Sequence, residues 1–358
     1  MKTTSLFKLF SRAVSLLLLL LLINQQTFAW SKRGHVIITR TAVKLLIDDQ
    51  NVSKDLKKIL LEGLGNEETA EKKLKSLKDF AVFTSESFTL EPGLDLYSFR
   101  PDELANVNSA VPSFNSDESK MHYIDLELFN PDPKKRIFLI DGSAKVKPSY
   151  IPRNKKDKRY LEAGFVTFRT EECYKQLVRS FNKATTNEEI FLWLGYLSHY
   201  LSDSYQPYHS TIDYRGIDCP GNRERKYNFH FHMESTLFND KRPEGQQLRE
   251  DFWKEFETKL NTSATLIKKQ KKIDPYLQVQ HALLSGYDYL PMLCRAGDAA
   301  FEKGDFNPDA WFGYSEKVNG REMTVLQLKA ARMAEATLVL KTIILQAWQQ
   351  SGKQRSKR

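Results

Sequence analysis

Cysteine is scarce in this chain, with only 3 in 358 residues: Cys173, Cys219 and Cys294. No Cys-x-x-Cys spacing occurs, which argues against a thiolate zinc site. Any metal must then be held by histidine, aspartate, glutamate or a chain terminus. In an exported protein two of the three cysteines could pair and leave one free, and the sequence does not say which. Strand patterns are also few, and no internal repeat or low-complexity stretch appears beyond one run of leucines. A mainly α fold in one domain is the expectation. With 41% hydrophobic residues and a mean hydropathy of −0.50, the composition is that of a soluble globular protein, long enough for a substantial core.

The leucine run belongs to residues 1–29, which read as a secretory signal peptide. Lys2, Lys8 and Arg12 form a basic start, Ala13 to Ile23 is apolar, and Thr27-Phe28-Ala29 offers acceptable cleavage positions. The apolar run is shorter than the ~20 residues a membrane span needs. Cleavage after Ala29 makes Trp30 the first residue and takes the net charge from +9 to +6. A modestly basic surface suits polyanions or anionic membranes, and equally a solvated face. An exported protein, secreted or periplasmic, is expected.

Along the mature chain, helical periodicity is read at about Gly34–Asp49, Ser53–Leu64 and from Asn66-Glu67 to near Phe83. Residues 84–121, broken by Pro92, Gly93, Pro101 and Pro112, read as a long loop region. About 130–158 reads as a basic surface insertion with a short strand at Arg136–Ile140. Helices return at about Arg159–Asn182, Asn187–Asp203, Gly245–Thr265, Asp274–Leu293 and Val325–Gln350. A single helical domain is therefore placed at 30–350, with 351–358 a basic tail.

The chemistry concentrates where the apolar helix from Ile190 ends. His199 and Asp203 are four apart and share a helical face. Pro207 cannot continue the helix, so the backbone should turn and bring His209 beside that face. Two imidazoles and a carboxylate suit zinc. Three other points can join them: His35, five residues after Trp30; His122 in Met121-His122-Tyr123-Ile124-Asp125; and the i, i+4 pair His230 and Glu234. A free α-amino group at Trp30, with a reference pKa of about 7.7–8.0, could lose its proton to a metal near neutrality. Of the seven histidines, His232 and His281 are read as structural or surface residues.

Taken in order, these motifs resemble the superfamily of secreted zinc-dependent single-strand nucleases and bacterial zinc-dependent phospholipases C. Trp-x-x-x-Gly-His is matched by Trp30 to His35. His-x-x-x-Asp-x-x-x-Pro-x-His is matched by His199, Asp203, Pro207 and His209, with Gln206 also present. Gly221-Asn222 and Asn228-Phe229-His230…Glu234 echo the nuclease's last motif. The resemblance covers most of residues 30–234 and implies an α-helical phosphodiesterase fold with a cluster of up to three Zn2+ ions. Trp30 (amine and carbonyl), His35 and Asp203 would hold one ion, and His122, His199 and the bridging Asp203 a second. His209, His230 and Glu234 would hold the third. The implied catalytic residues are Asp203, His199 and His122.

The match has a gap, because the family carries a further Asp about fifteen residues before the second-site His. Here Ser85 and Ser109 stand in the nearest equivalents, and Asp79, Glu86, Asp95, Asp102 and Asp117 are the candidate substitutes. The resemblance also makes Tyr123 and Asp125 substrate-binding residues, for base stacking and a base-edge contact, if the substrate is single-stranded nucleic acid. The Trp30-to-His35 spacing is the nuclease's, and an endonuclease is the first expectation. Glu234 stands where the nucleases carry Asp, as in the phospholipases, so a phospholipid substrate is the alternative. A metal-binding secreted protein without turnover is the third. No stable protein partner is implied, and a monomer is expected. One residue added ahead of Trp30 should cut turnover sharply in an activity assay, and an unaffected protein would show that Trp30 is no ligand.

Overall fold

Helices dominate, and their starts follow local capping chemistry. In this computed structural model, residues 30–88, 90–106, 118–129, 164–183, 186–239, 242–267, 272–302 and 304–352 are described. The expected leader at 1–29, the insertion at about 130–158 with its strand, and the tail from residue 353 lie outside them.

Helix α1 (Ser31–Asp48) begins at Trp30. Ser53 accepts from Leu56 N to open α2 (Lys54–Leu64), and Asn66 accepts from Thr69 N to open α3 (Glu67–Ser76). Asp79 caps α4 (Phe80–Ser85), so the third expected helix is in fact two. Each of these side-chain acceptors satisfies an N–H that the first helical turn leaves without a partner.

The expected loop at 84–121 contains a helix, α5 (Leu94–Asn106), with Pro101 inside it. Proline in a helix interior costs about 3 kcal/mol, which is why sequence periodicity argued against one. Tertiary contacts offset that cost. Leu94 and Phe99 are fully buried, and Asp95 takes two bonds from the buried Arg40 of α1, at 3.0 and 2.8 Å. Arg40 also bonds both oxygens of Glu86, each at 2.8 Å.

A short α6 (Leu126–Phe129) precedes α7 (Val166–Lys183) and α8 (Asn187–Asp203). A single-turn 3-10 helix at Pro207–Ser210 follows α8. Then α9 (Phe229–Phe231), a π-helical turn at His232–Thr236 and α10 (Leu237–Asn239) run end to end. The long α11 (Pro243–Ile267) leads to α12 (Pro275–Tyr287) and α13 (Leu290–Ala299), which were expected as one helix. The chain closes with α14 (Pro308–Gly313) and α15 (Val325–Gln350), the latter opened by a capping box between Thr324 and Gln327.

Strands are few, as expected. β1 (Phe301–Glu302) pairs antiparallel with β2 (Asp305–Phe306), and β3 (Ser315–Val318) with β4 (Arg321–Thr324). Asn319 and Gly320, both at positive φ, turn the second hairpin. The fold is mainly α. Helix α15 packs on α1, α7, α8 and α11, while α5 and α7 pack on α8. One buried cluster runs from Trp30 to Trp348. Among the described residues no helix is long and apolar enough to cross a membrane. Cys219 and Cys294 form a disulfide, and Cys173 is the buried free thiol.

Helices α5 and α8 touch backbone to backbone at Gly195. A Cβ there would lie 2.4 Å from Tyr97 Cβ and 2.6 Å from the Tyr97 carbonyl carbon. Alanine would gain about 1 kcal/mol of helix propensity, while overpacking a contact that cannot yield costs about 1–3 kcal/mol. Gly195→Ala should therefore lower thermal stability in a melting experiment, and an unchanged or higher midpoint would show that the two helices can part freely.

Candidate metal centre

Helix α8 delivers His199 and Asp203 from its last turns, both fully buried. The backbone then turns through Gln206, whose side chain accepts from Tyr208 N at 2.6 Å and so opens the 3-10 turn carrying His209. The turn leaves His209 near enough to Asp203 for their charges to interact, while its ligand group is with His230 and Glu234. His209 Nδ1 donates to His122 O at 2.7 Å, and Ile124 N donates to His209 O at 2.9 Å. These reciprocal bonds bring in the 121–125 segment with His122.

The side chains converge in three groups whose candidate ligand atoms lie within 4.8 Å of one another: His35, His199 and Asp203; Asp102, His122 and His199; and His209, His230 and Glu234. Asp102 is the carboxylate that the sequence left undecided. Its Oδ1 is 3.6 Å from His122 Nδ1 and 3.5 Å from His199 Nε2, and its Oδ2 is 3.7 Å from His35 Nε2. Asp203 divides itself the same way. Oδ2 lies 3.0 Å from His122 Nδ1 and 3.2 Å from His199 Nε2, while Oδ1 lies 3.5 Å from His35 Nε2. Two carboxylates, not Asp203 alone, thus stand between the first two groups.

The other described candidates are committed elsewhere. Asp79 caps α4, Glu86 and Asp95 bind Arg40, and Asp117 lies outside the described residues. Asp102 was hard to find because it stands twenty residues ahead of His122, on the helix that Pro101 disguised.

Hydrogen bonds at the rear of the rings set their tautomers. His199 Nδ1 donates to Ser98 O at 2.8 Å, just as His209 Nδ1 donates to His122 O. His35 Nδ1 lies 2.8 Å from Ser202 Oγ, which gives its own proton to His199 O at 2.8 Å and so must accept from His35. In all three rings the Nε2 lone pair is left facing the cluster, the arrangement metal-binding histidines use. Trp30 is fully buried, and its indole Nε1 donates to Ser202 O at 2.6 Å, one residue before Asp203.

Burial pushes the Asp203 carboxyl up, yet the neighbouring His199 and His122 outweigh it and hold it well below the usual range. Glu234 is likewise raised by burial but brought below its ordinary value by His230 and His209. Burial lowers His199 and His230, with the nearby carboxylates opposing only in part. Ionised acids and neutral imidazoles are the forms that bind cations.

The residues fit a metal cluster. Asp203 Oδ1 and Glu234 Oε2 are buried without a hydrogen-bond partner. His209 Nε2 and His230 Nε2 face each other at 3.1 Å, with Glu234 Oε1 3.3 Å from the former and in a short contact with the latter. Three ligand atoms gathered this closely could hold a cation between them. Zinc ligands about 2.0–2.1 Å from a tetrahedral ion stand roughly 3.3 Å apart, close to the separations found here.

Tyr123 is half-buried and Asp125 buried, both beside His122 in sequence. His232 stacks on Tyr227 at 4.8 Å and meets Thr236 Oγ1 at 2.6 Å, and burial pushes it down to about 3, so it is structural as expected. His281 is exposed, away from the cluster.

No protein-family model and no curated protein matches this chain. Among solved structures it is similar to the alpha-toxin of Clostridium perfringens from an avian strain, with 13% identity and a TM-score of 0.42 over 88% of this chain and 64% of that one. It is also similar to the alpha toxin of Clostridium absonum, with 13% identity and a TM-score of 0.43 over 90% of this chain and 65% of that one. The chain thus spans just under two thirds of the length of these matches. A likeness this distant carries no argument about activity, and the metal reading stands on the geometry above.

If Asp102 is a bridging ligand, Asp102→Asn should lower zinc content in the purified protein by at least one ion while His209, His230 and Glu234 keep theirs. Elemental analysis against the parent chain measures this, and an unchanged count would remove Asp102 from the ligand set.

Proposed function

We propose that this chain is an exported zinc-dependent phosphodiester hydrolase. The observation that carries the reading is the pair of buried carboxylates, Asp102 and Asp203, each with one oxygen toward His35 and the other toward His122 and His199. Clustered divalent ions supply Lewis acidity toward a phosphoryl oxygen, hydroxide at neutral pH, and charge for the leaving oxygen. The chain's own work is to hold and orient the ligands. Ser98 O, Ser202 Oγ and His122 O fix the rings of His199, His35 and His209. Gln206 Nε2 donates to Glu234 Oε1 at 2.7 Å and steadies that carboxylate. No side-chain nucleophile is required. Trp30 would contribute its amine and carbonyl once the leader is removed, and the Cys219–Cys294 disulfide supports an oxidising, extracytoplasmic compartment.

For the substrate, single-stranded nucleic acid is the first reading, on the Trp30-to-His35 spacing and on Tyr123 and Asp125 beside His122. Stacking on an aromatic side chain contributes about 1–3 kcal/mol per base and tolerates any base. A phospholipid is the second reading. It is favoured by Glu234 and by the exposed Ile212, Tyr214 and Phe231, which lie within five residues of His209 or His230. The third expectation, binding without turnover, arose from the missing acid, and Asp102 offers that acid. The chain is read as working alone, as a monomer.

Single-stranded DNA or RNA, a phosphatidylcholine emulsion and a chromogenic phosphodiester, assayed in parallel with metal analysis, separate these readings. Hydrolysis should cease on chelation, return with zinc, and be abolished in His199→Ala. A zinc-loaded protein inert toward all three substrates would sink the hydrolase reading, and full activity in His199→Ala would sink the site.

A further inference from the structure

Helix α15 carries none of the motifs, yet two of its buried side chains reach the turns that bear the ligands. Arg332 Nε donates to Tyr205 O at 2.8 Å, two residues past Asp203. Lys329, fully buried, donates from Nζ to Met233 O in a short contact and to Glu234 O at 3.1 Å. The same Nζ sits 4.3 Å from the Phe238 ring centre, 5.6 Å from Trp30 and 5.9 Å from Phe312. An apolar side chain would fill such a pocket at less desolvation cost. The ammonium finds there the two backbone carbonyls flanking the Cα that carries a candidate metal ligand.

Those carbonyls belong to the π-helical turn His232–Thr236. Such turns are rare, and they occur often at functional sites. A donor from outside that holds two of its carbonyls helps to fix the orientation of the turn. The orientation matters because Glu234 must meet both His209 and His230, while Gln206 grips its carboxylate from the side-chain end.

We propose that Lys329 is a positioning residue for the triad of His209, His230 and Glu234. By tying down the Met233 and Glu234 carbonyls it aims the Glu234 side chain at the two imidazoles. Its contact with Trp30 links that turn to the residue that heads the mature chain. The role needs Nζ only as a hydrogen-bond donor. The proposal rests on the reading that the triad holds a metal ion, though not on the identity of the substrate.

The test compares the mature, zinc-loaded parent chain with Lys329→Met, which keeps the volume and removes the donors, and Lys329→Gln, which keeps an amide donor. Stepwise zinc affinities are read by competition with a chromogenic chelator. Groups that orient a metal ligand from behind are worth about 10–100-fold in affinity. In Lys329→Met one ion should bind about 10–100-fold more weakly while the others keep their parental affinities. Lys329→Gln should recover part of the loss. In a His230→Ala background, where that ion is already lost, Lys329→Met should change nothing further. Three parental affinities in Lys329→Met, an equal loss at every ion, or no recovery in Lys329→Gln would each overturn the proposal. A parent chain that binds no zinc would instead overturn the metal reading beneath it, so the two failures are distinguishable.

Discussion

Two buried carboxylates facing the same three imidazoles form the constraint on which the rest depends. Asp102 and Asp203 both present oxygens to His35, His122 and His199 in a largely buried space. Like charges at this proximity in a low-dielectric interior repel strongly, and unpaired buried charge is costly. Imidazoles relieve it in part, as the lowered Asp203 shows. A shared divalent cation would relieve it more fully and would make use of Asp203 Oδ1, which is buried without a hydrogen-bond partner. The site is therefore an arrangement that could hold metal.

Holding that arrangement is the task of the surrounding helices. Gly195 lets the α5 backbone lie directly on α8, which puts Ser98 O within reach of His199 Nδ1 and sets Asp102 opposite Asp203. Arg40 anchors α5 from the far side through Asp95, with Lys73 adding a 2.8 Å contact. Behind the rings, Tyr200 stands edge-on to His122 and His199 at 5.4 and 5.2 Å, its hydroxyl on Glu118 and its ring under Arg169 at 5.1 Å. Polar groups buried this deeply are tolerable only when satisfied together. The third triad is joined to the other two through the His122 and His209 backbones, so the cluster behaves as one structure with α8 at its centre.

Much of this was legible in the chain itself. Local rules placed α8 to the residue, started α2 near Ser53 and ran α15 from Val325 to Gln350, because each depends on contacts a few residues apart. The i, i+4 pairs His199/Asp203 and His230/Glu234 were visible for the same reason, as was the turn at Pro207. Other local signals went unused. The break between α12 and α13 was smoothed over, and Asn319-Gly320 between β3 and β4 is a hairpin signal that the helical periodicity around it obscured.

What the sequence by itself determined is the inventory: which side chains can bind metal, the helical character, the export-like start and a family resemblance carried by ordered motifs. Tertiary structure decided the assembly. It turned a proline-broken stretch into α5, brought Asp102 among the metal-site histidines, paired Cys219 with Cys294, and brought the motif-free α15 to the Glu234 turn. The physical reason is range. Capping, periodicity and i, i+4 spacing act within one or two turns, whereas burial, charge pairing and backbone contact join residues far apart in the chain, and no local pattern records which of them will meet.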